Sequence, residues 1–167
     1  SFDYPASSHH SMPEGFVVFD DVFVPWDRVF LAGEVQLASR LAQSLGLWER
    51  TGGVVEAARI SELFVGLAQL VTEMQGKDGD PVAQNSIAEL ITYAEMIRMG
   101  LEYACTHYEK TPSGMVFPNT LAINAAKYYY AANFHQTVRY LHDLGGGLVL
   151  TLPLEADLRN EESGKYI

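Results

Sequence analysis

The sequence predicts a mainly α fold, an up-and-down four-helix bundle preceded by a short N-terminal β segment. Three observations carry that expectation. From about residue 34 onward the apolar residues recur at helical spacing. The helical stretches are joined by short runs of Gly, Pro and Asp, which leave neighbours no room to do anything but run antiparallel. Before them, Phe16 to Phe30 holds a block of β-branched and aromatic residues of strand character.

Taken in order, Ser1 to Gly15 is rich in Ser, Pro and His without an apolar period and reads as an irregular lead-in. Phe16-Val-Val-Phe-Asp-Asp-Val-Phe-Val-Pro-Trp26 reads as a strand closed by Pro25, with Asp20-Asp21 a turn or a bulge. The first helix is expected from about Glu34 to Trp48, with Val35, Leu37, Leu41, Leu45 and Trp48 apolar; Thr51-Gly52-Gly53 either interrupts it or allows a close crossing. The second runs from about Val54 to Gln75, where Ile60, Phe64, Leu67, Val71 and Met74 make an apolar stripe, and Gly76-Lys77-Asp78-Gly79 ends it. Asp80-Pro81 opens the third in the favoured cap and first-turn positions; its stripe is Ile87, Leu90, Ala94, Ile97, Leu101, Ala104 and Tyr108, ending near Lys110.

Thr111 to Pro118 is a loop, and Asn119 or Thr120 opens the fourth helix through Leu121, Ala125, Tyr128, Ala132 and Leu141. Small residues such as Ala125, Ala126, Ala131 and Ala132 let helices approach closely. That helix stops at Gly145-Gly146-Gly147, after which Leu148-Val-Leu-Thr-Leu-Pro reads as extended and Leu154 to Asn160 as one helical turn bearing Glu155 and Asp157. No internal repeat or low-complexity tract interrupts the pattern.

A chain of 167 residues with 48% hydrophobic and 11% aromatic residues is long and apolar enough to bury one core. A formal charge of -10 argues against nucleic acid or an anionic membrane surface as partner. The lone Cys105 leaves no intrachain disulfide and fits a reducing, cytoplasmic setting. No apolar run approaches the roughly 20 residues that span a bilayer, and no signal peptide opens the chain. The chain begins without Met and ends at Ile167 in the middle of a structured phrase, so it reads as a fragment of something longer.

Local spacing assembles no Ser-His-Asp or Cys-His constellation. His9-His10 lack acidic or Cys companions at ligand spacing and read as a solvated loop, and Asp20-Asp21 has neither a third carboxylate nor a calcium loop after it. Cys105 and His107 project to different helix faces, and Cys105 reads as a buried core thiol rather than a nucleophile. His135 and His142 share a helix face with Arg139, running toward the glycines. That face is either a polar and capping edge suited to the negative helix end or a cofactor-facing edge. Three consecutive glycines likewise admit two readings: a helix stop with a tight turn, or a backbone free of Cβ on which a ligand phosphate can lie.

Val18-Phe-Asp-Asp-Val-Phe-Val-Pro-Trp-Asp-Arg-Val-Phe30 resembles the junction motif of the flavoprotein family that includes 4-hydroxyphenylacetate 3-monooxygenase and 4-hydroxybutyryl-CoA dehydratase. Leu141-His-Asp-Leu-Gly-Gly-Gly-Leu-Val-Leu-Thr-Leu-Pro-Leu-Glu-Ala-Asp-Leu-Arg-Asn-Glu-Glu162 is similar to that family's segment after the last long bundle helix, and Glu73-Met-Gln-Gly76 also resembles it. The resemblance implies a fold related to acyl-CoA dehydrogenases, with residues 1–32 the end of a central β domain and linker and residues 33–167 the C-terminal helical bundle domain.

In the related dehydrogenases a Gln-x-x-Gly-Gly segment at the matching place approaches the FAD of a neighbouring subunit. Laid on this chain it falls on His142, Gly145 and Gly146, with Gly147 following, and imidazole can keep the donor and acceptor that glutamine offers. The implied activity is hydroxylation of a small phenol by reduced FAD delivered from a separate flavin reductase, in a homo-oligomer, a tetramer at full length, with the fragment inactive alone. The dehydratase branch carries an iron–sulfur cluster with a His and, seven residues on, a Cys in the bundle region. No His-x6-Cys occurs here, Glu49 and Glu56 falling near those positions, so no cluster is expected. A same-fold CoA-ester dehydratase or isomerase and a purely structural assembly domain are the alternatives.

Overall fold

The computed structural model describes His9 and residues 15–167, without the side chain of Leu148. Most of the expected lead-in, His10 included, lies outside the described residues; His9 itself is exposed. The chain divides into two compact units, one of residues Gly33–Gly146 and the other drawing on the segments before and after it.

Three long helices make up the larger unit: α1 (Val35–Met74), α2 (Pro81–Thr106) and α3 (Thr120–Gly145). Each packs against both others. The mainly α bundle is as expected, and the difference lies at one joint: the anticipated first and second helices are a single 40-residue helix that runs straight through Thr51-Gly52-Gly53. Thr51 Oγ1 donates to the Leu47 carbonyl at 2.7 Å, so the threonine satisfies its hydroxyl without leaving the helix. Packing demands neither glycine: a Cβ on Gly53 would make ordinary contact, 3.4 Å from the flexible end of Lys127 of α3, and one on Gly52 would meet nothing within 4 Å.

The helix ends follow the sequence closely. α1 closes in a Schellman arrangement: Gly76 N–H donates to the Glu73 carbonyl at 2.9 Å and Lys77 N–H to Thr72 at 3.0 Å, with Gly76 at φ 66°. Asp80 caps α2, its carboxylate accepting from Val82 N–H at 3.0 Å, with Pro81 in the first turn. Asn119 caps α3 by accepting from Ala122 N–H at 3.0 Å. The loop between α2 and α3 folds into a small antiparallel hairpin, β1 (Glu109–Lys110) against β2 (Val116–Phe117), which presses Phe117 onto Trp48 with ring centroids 6.1 Å apart.

On α1 and α3 the core rests more on small residues than on the largest side chains, with Ile60, Phe64 and Val71 of the expected α1 stripe half-buried. α2 buries Leu90, Ala94, Ile97 and Ala104, as its stripe predicts. On α1 the buried positions are Leu47, Val54, Ala57, Ala58, Ser61, Ala68 and Thr72, whereas Val35, Leu37, Leu41, Leu45, Trp48, Leu67 and Met74 of the expected stripes are exposed. On α3 the interior residues are Ile123, Ala126 and Thr137, while Leu121 and Tyr128 are 79% and 76% exposed and Ala125, Ala131 and Ala132 face outward too. The reason is spacing between axes: closely approaching helices admit Ala, Ser and Thr at the contact and push Leu and Trp to the flanks. Ser61 and Thr72 bury their hydroxyls by donating to the carbonyls four residues back, both at 2.7 Å.

In the smaller unit Asp20 and Asp21 form a bend with Asp21 at φ 45°, which decides for a turn. The apolar block around them, Phe16 to Val24, pairs in no ladder among the described residues and exposes Phe16, Val17, Val18 and Phe19. Strand-forming side chains make a strand only when a neighbour takes up the backbone N–H and C=O groups. Trp26–Arg28 is a 3-10 turn after Pro25. Past Gly147 the expected extended run is instead a helical turn, α4 (Leu148–Thr151), whose Thr151 N–H donates to the Gly147 carbonyl at 3.1 Å. α5 (Glu155–Leu158) is the expected turn; its Asp157 carboxylate accepts from Leu154 N–H at 3.0 Å, and Arg159 pairs with Glu155 at 2.7 Å.

Candidate functional site

α3 reaches its last intrahelical bond where Gly146 N–H donates to the His142 carbonyl at 2.9 Å. Gly146 then takes φ 68° and ψ -155°, a backbone region that side chains with a Cβ essentially do not enter. A Cβ there would meet nothing within 4 Å, so the glycine is demanded by conformation and leaves an open stretch of main chain. His142, one turn back from that stop, is exposed, and Gly145, next to the stop, is half-buried. Gly147 belongs to the smaller unit, where it opens α4.

Of the other polar residues on this helix, Arg139 pairs with Asp143 at 3.7 Å and His135 is exposed two turns before His142. Cys105 is exposed, not the core thiol its neighbours suggest: Ala104 takes the buried place and the next residue turns about 100° away from it. His107 stacks on Tyr103 with centroids 3.9 Å apart, and its Nδ1 lies 3.0 Å from Thr106 Oγ1, so it serves the end of α2. Among the described residues no group of three or more His, Cys, Asp and Glu could hold a metal ion.

One part of the glycine end escapes sequence reasoning. The turn after α1 comes to the end of α3: Gln75 Nε2 donates to the Leu144 carbonyl at 2.8 Å across 69 residues of chain. Gln75, Lys77, Thr72 and Asp80 line a small cavity of about 100 Å³ together with Asp143 and Leu144. The only signal in the sequence is Glu73-Met-Gln-Gly76 itself, which looks like a helix terminus until the bundle brings it beside the glycines. A wider cleft of about 550 Å³ lies between α1 and the hairpin, lined by Arg40, Gln43, Leu47, Glu109, Thr111 and Phe117. Its Glu109 carboxylate accepts from Thr120 N–H at 3.0 Å at the start of α3, roughly 38 Å of helix from the glycine stop at 1.5 Å per residue. The two places are therefore separate.

A bundle of this build, ending one long helix in a glycine stop, is of the acyl-CoA dehydrogenase-like class. A family model described as 4-hydroxyphenylacetate 3-hydroxylase C terminal matches residues 38–167, and its N-terminal counterpart matches residues 1–31. The chain belongs to the 4-hydroxyphenylacetate 3-hydroxylase family. It is 32% identical over 160 residues to the 4-hydroxyphenylacetate 3-monooxygenase oxygenase component of Thermus thermophilus, taking in 95% of this chain and 33% of that protein.

Among solved structures it is similar to the oxygenase component of 4-hydroxyphenylacetate 3-monooxygenase complexed with FAD, at TM-score 0.78 and 30% identity over 89% of this chain and 32% of the other. It is also similar to a 4-hydroxybutyryl-CoA dehydratase from N. maritimus, at TM-score 0.83 and 27% identity over 89% of this chain and 30% of the other. The chain thus spans about a third of the length of the relatives it matches.

Proposed function

We propose that this chain is the C-terminal, flavin-facing and oligomerising part of a reduced-FAD-dependent aromatic hydroxylase acting on a small phenol of the 4-hydroxyphenylacetate type. The observation that carries the reading is the glycine stop: an open, Cβ-free backbone at Gly146, beside an exposed His142, in a family one of whose solved structures holds FAD. His142, Gly145, Gly146 and Gly147 are the residues proposed to face the cofactor. Their fit is one of shape and hydrogen bonding: Gly145 and Gly146 let a flat ring system or phosphate come to van der Waals distance of the main chain, and the His142 imidazole offers one donor and one acceptor. Bound reduced flavin supplies the electrons and the oxygen activation. What this chain supplies is position, a share of the walls that exclude water, and contacts to neighbouring subunits.

The outer faces of the bundle support the last role. Leu41, Leu45, Trp48, Leu63, Leu70 and Met74 stand exposed along α1, a run of apolar surface of the kind that other domains and subunits cover. A homo-oligomer, a tetramer at full length, follows from this reading, as does a separate reductase, since the Thermus thermophilus relative is named an oxygenase component. Residues 1–32 then form the end of a central β domain and linker, and residues 33–167 the C-terminal helical domain. A cytoplasmic setting agrees with a single, exposed thiol, and no helix among the described residues is long and apolar enough to cross a membrane.

The experiment is a titration of the chain, and of the full-length protein carrying it, with oxidised FAD and, under anaerobic conditions, reduced FAD. Tight binding of reduced FAD by the full-length protein is expected; binding by neither overturns the assignment.

Similarity to the archaeal dehydratase favours one other reading, CoA-ester dehydration or isomerisation on the same fold. Against it stands the ligand set that the resemblance implies: Glu49 and Glu56, near the places of the His and Cys expected for a cluster, are both exposed, and Glu56 is engaged by Arg59 at 2.9 Å. Iron analysis of the full-length protein decides between the two.

A further inference from the structure

We infer that Gln75 is a positioning residue for the glycine stop, clamping the last turn of α3 from the neighbouring interhelical turn. The inference rests on the flavin-facing reading above. Leu144 belongs to the last turn of α3, where carbonyls lie beyond the reach of intrahelical donors and are met by side chains or by water. The Gln75 carboxamide provides it, at 2.8 Å and from 69 residues away.

The anchor is itself fixed from several sides. Gln75 N–H donates to the Val71 carbonyl at 3.2 Å, and the Schellman bonds of Gly76 and Lys77 close the helix end around it. Asp80 N–H then donates to the Lys77 carbonyl at 2.9 Å, and Gln84 Nε2 to the Asp78 carbonyl at 3.0 Å. An exposed side chain held on so braced a turn carries its amide to the Leu144 carbonyl, one residue before Gly145 and two before Gly146, and so restrains the peptides that follow. Loss of the bond leaves a chain end made of consecutive glycines with the widest backbone freedom of any residue. Flavin would then have to order that backbone on binding, which weakens the affinity.

The test uses the full-length protein and three variants. Gln75→Met keeps length and removes the donor; Gln75→Lys keeps a donor, suited to a helix C-terminus by its charge; Gln75→Glu stands in for Gln75→Met should that variant fail to fold. Flavin affinity is read by fluorescence titration, and amide hydrogen exchange is followed in the peptide spanning residues 141–147. Gln75→Met is expected to bind flavin about three- to tenfold more weakly, the size of one net hydrogen bond, with faster exchange in that peptide and an unchanged melting temperature. Gln75→Lys is expected to keep near the parent affinity.

Parent-like flavin affinity in the donorless variant overturns the inference, whether or not exchange quickens. So does a Gln75→Lys protein that loses as much affinity as Gln75→Met. A parent protein that binds no flavin at all overturns the flavin-facing reading instead, and is told apart from those outcomes by the parent titration alone.

Discussion

Gly100 of α2 faces Ala126 of α3 so closely that a Cβ built on the glycine would lie 2.9 Å from the alanine Cβ and 3.6 Å from its Cα. The first distance is the decisive one, because an alanine Cβ is fixed to its backbone and cannot swing aside as a long side chain can, whereas 3.6 Å is ordinary contact. This contact lies in the bundle interior, near the buried Ile97 and Ala104 on one helix and Ile123 on the other. Gly100→Val is therefore expected to destabilise the fold by about 1–3 kcal/mol, the usual range for overpacking. Thermal or urea denaturation of the 167-residue chain reads it, and an unchanged midpoint would show that the helices are not held at this spacing.

Gly52 is the opposite case on α1. It sits in the middle of a 40-residue helix, exposed, with nothing within 4 Å of where its Cβ would be. Gly52→Ala should raise stability by about 0.5–1 kcal/mol, since alanine loses less backbone freedom on folding. A lower melting temperature would mean that the helix breaks at this place after all.

That pair of glycines shows how far the sequence could be read. Caps are local chemistry, so Asp80, Asn119 and Gly76 mark their helix ends directly. A Thr-Gly-Gly run costs helix propensity, and by local rules it reads equally as a break; tertiary packing along both sides of α1 decides otherwise. The face of α3 is hidden for a related reason. Every rule that picks the largest apolar residues selects Leu121 and Tyr128, but the interior contact needs the small Ala126 opposite Gly100, and the surface carries the large ones. Gln75 is the same lesson at the proposed site: its partner is 69 residues away, and no periodicity can announce a hydrogen bond of that kind. The glycine stop is easier to see, because a helix end at positive φ favours glycine, although of the run Gly145 to Gly147 it is Gly146 that takes it.

Tyr93 is 4% exposed, stacks on Tyr130 with centroids 6.2 Å apart and donates its hydroxyl to the Tyr130 carbonyl at 2.8 Å. Burial holds its phenol well above the ordinary tyrosine range, with Tyr130 beside it adding to the effect. The sign follows from linkage: with the folded pKa above the unfolded one, the stabilisation is fully present below about pH 10 and is lost as pH rises beyond it, because the unfolded chain releases the proton first. The melting temperature should fall steeply between about pH 10 and 11, and Tyr93→Phe should flatten that slope while costing about 1 kcal/mol at neutral pH. Equal slopes for the two proteins would assign alkaline unfolding to other groups.

Gly146 separates the flavin-facing reading from that of a purely structural assembly domain. At φ 68° and ψ -155° a β-branched residue is strained by about 1–3 kcal/mol whatever space surrounds it, and here the space is open. Gly146 lies beyond the buried residues Ile123, Ala126 and Thr137 of α3, so relief of that strain in Gly146→Val is expected to shift the main chain at the stop and to leave the core in place. If the stop is only a turn, stability and activity of the full-length protein fall in proportion. If flavin lies against this backbone, the oligomer stays folded and assembled while its flavin affinity drops by more than the loss of stability accounts for. Measuring the melting temperature in the absence of flavin beside the flavin dissociation constant distinguishes the two, and proportional losses would return Gly145 to Gly147 to the role of a helix stop.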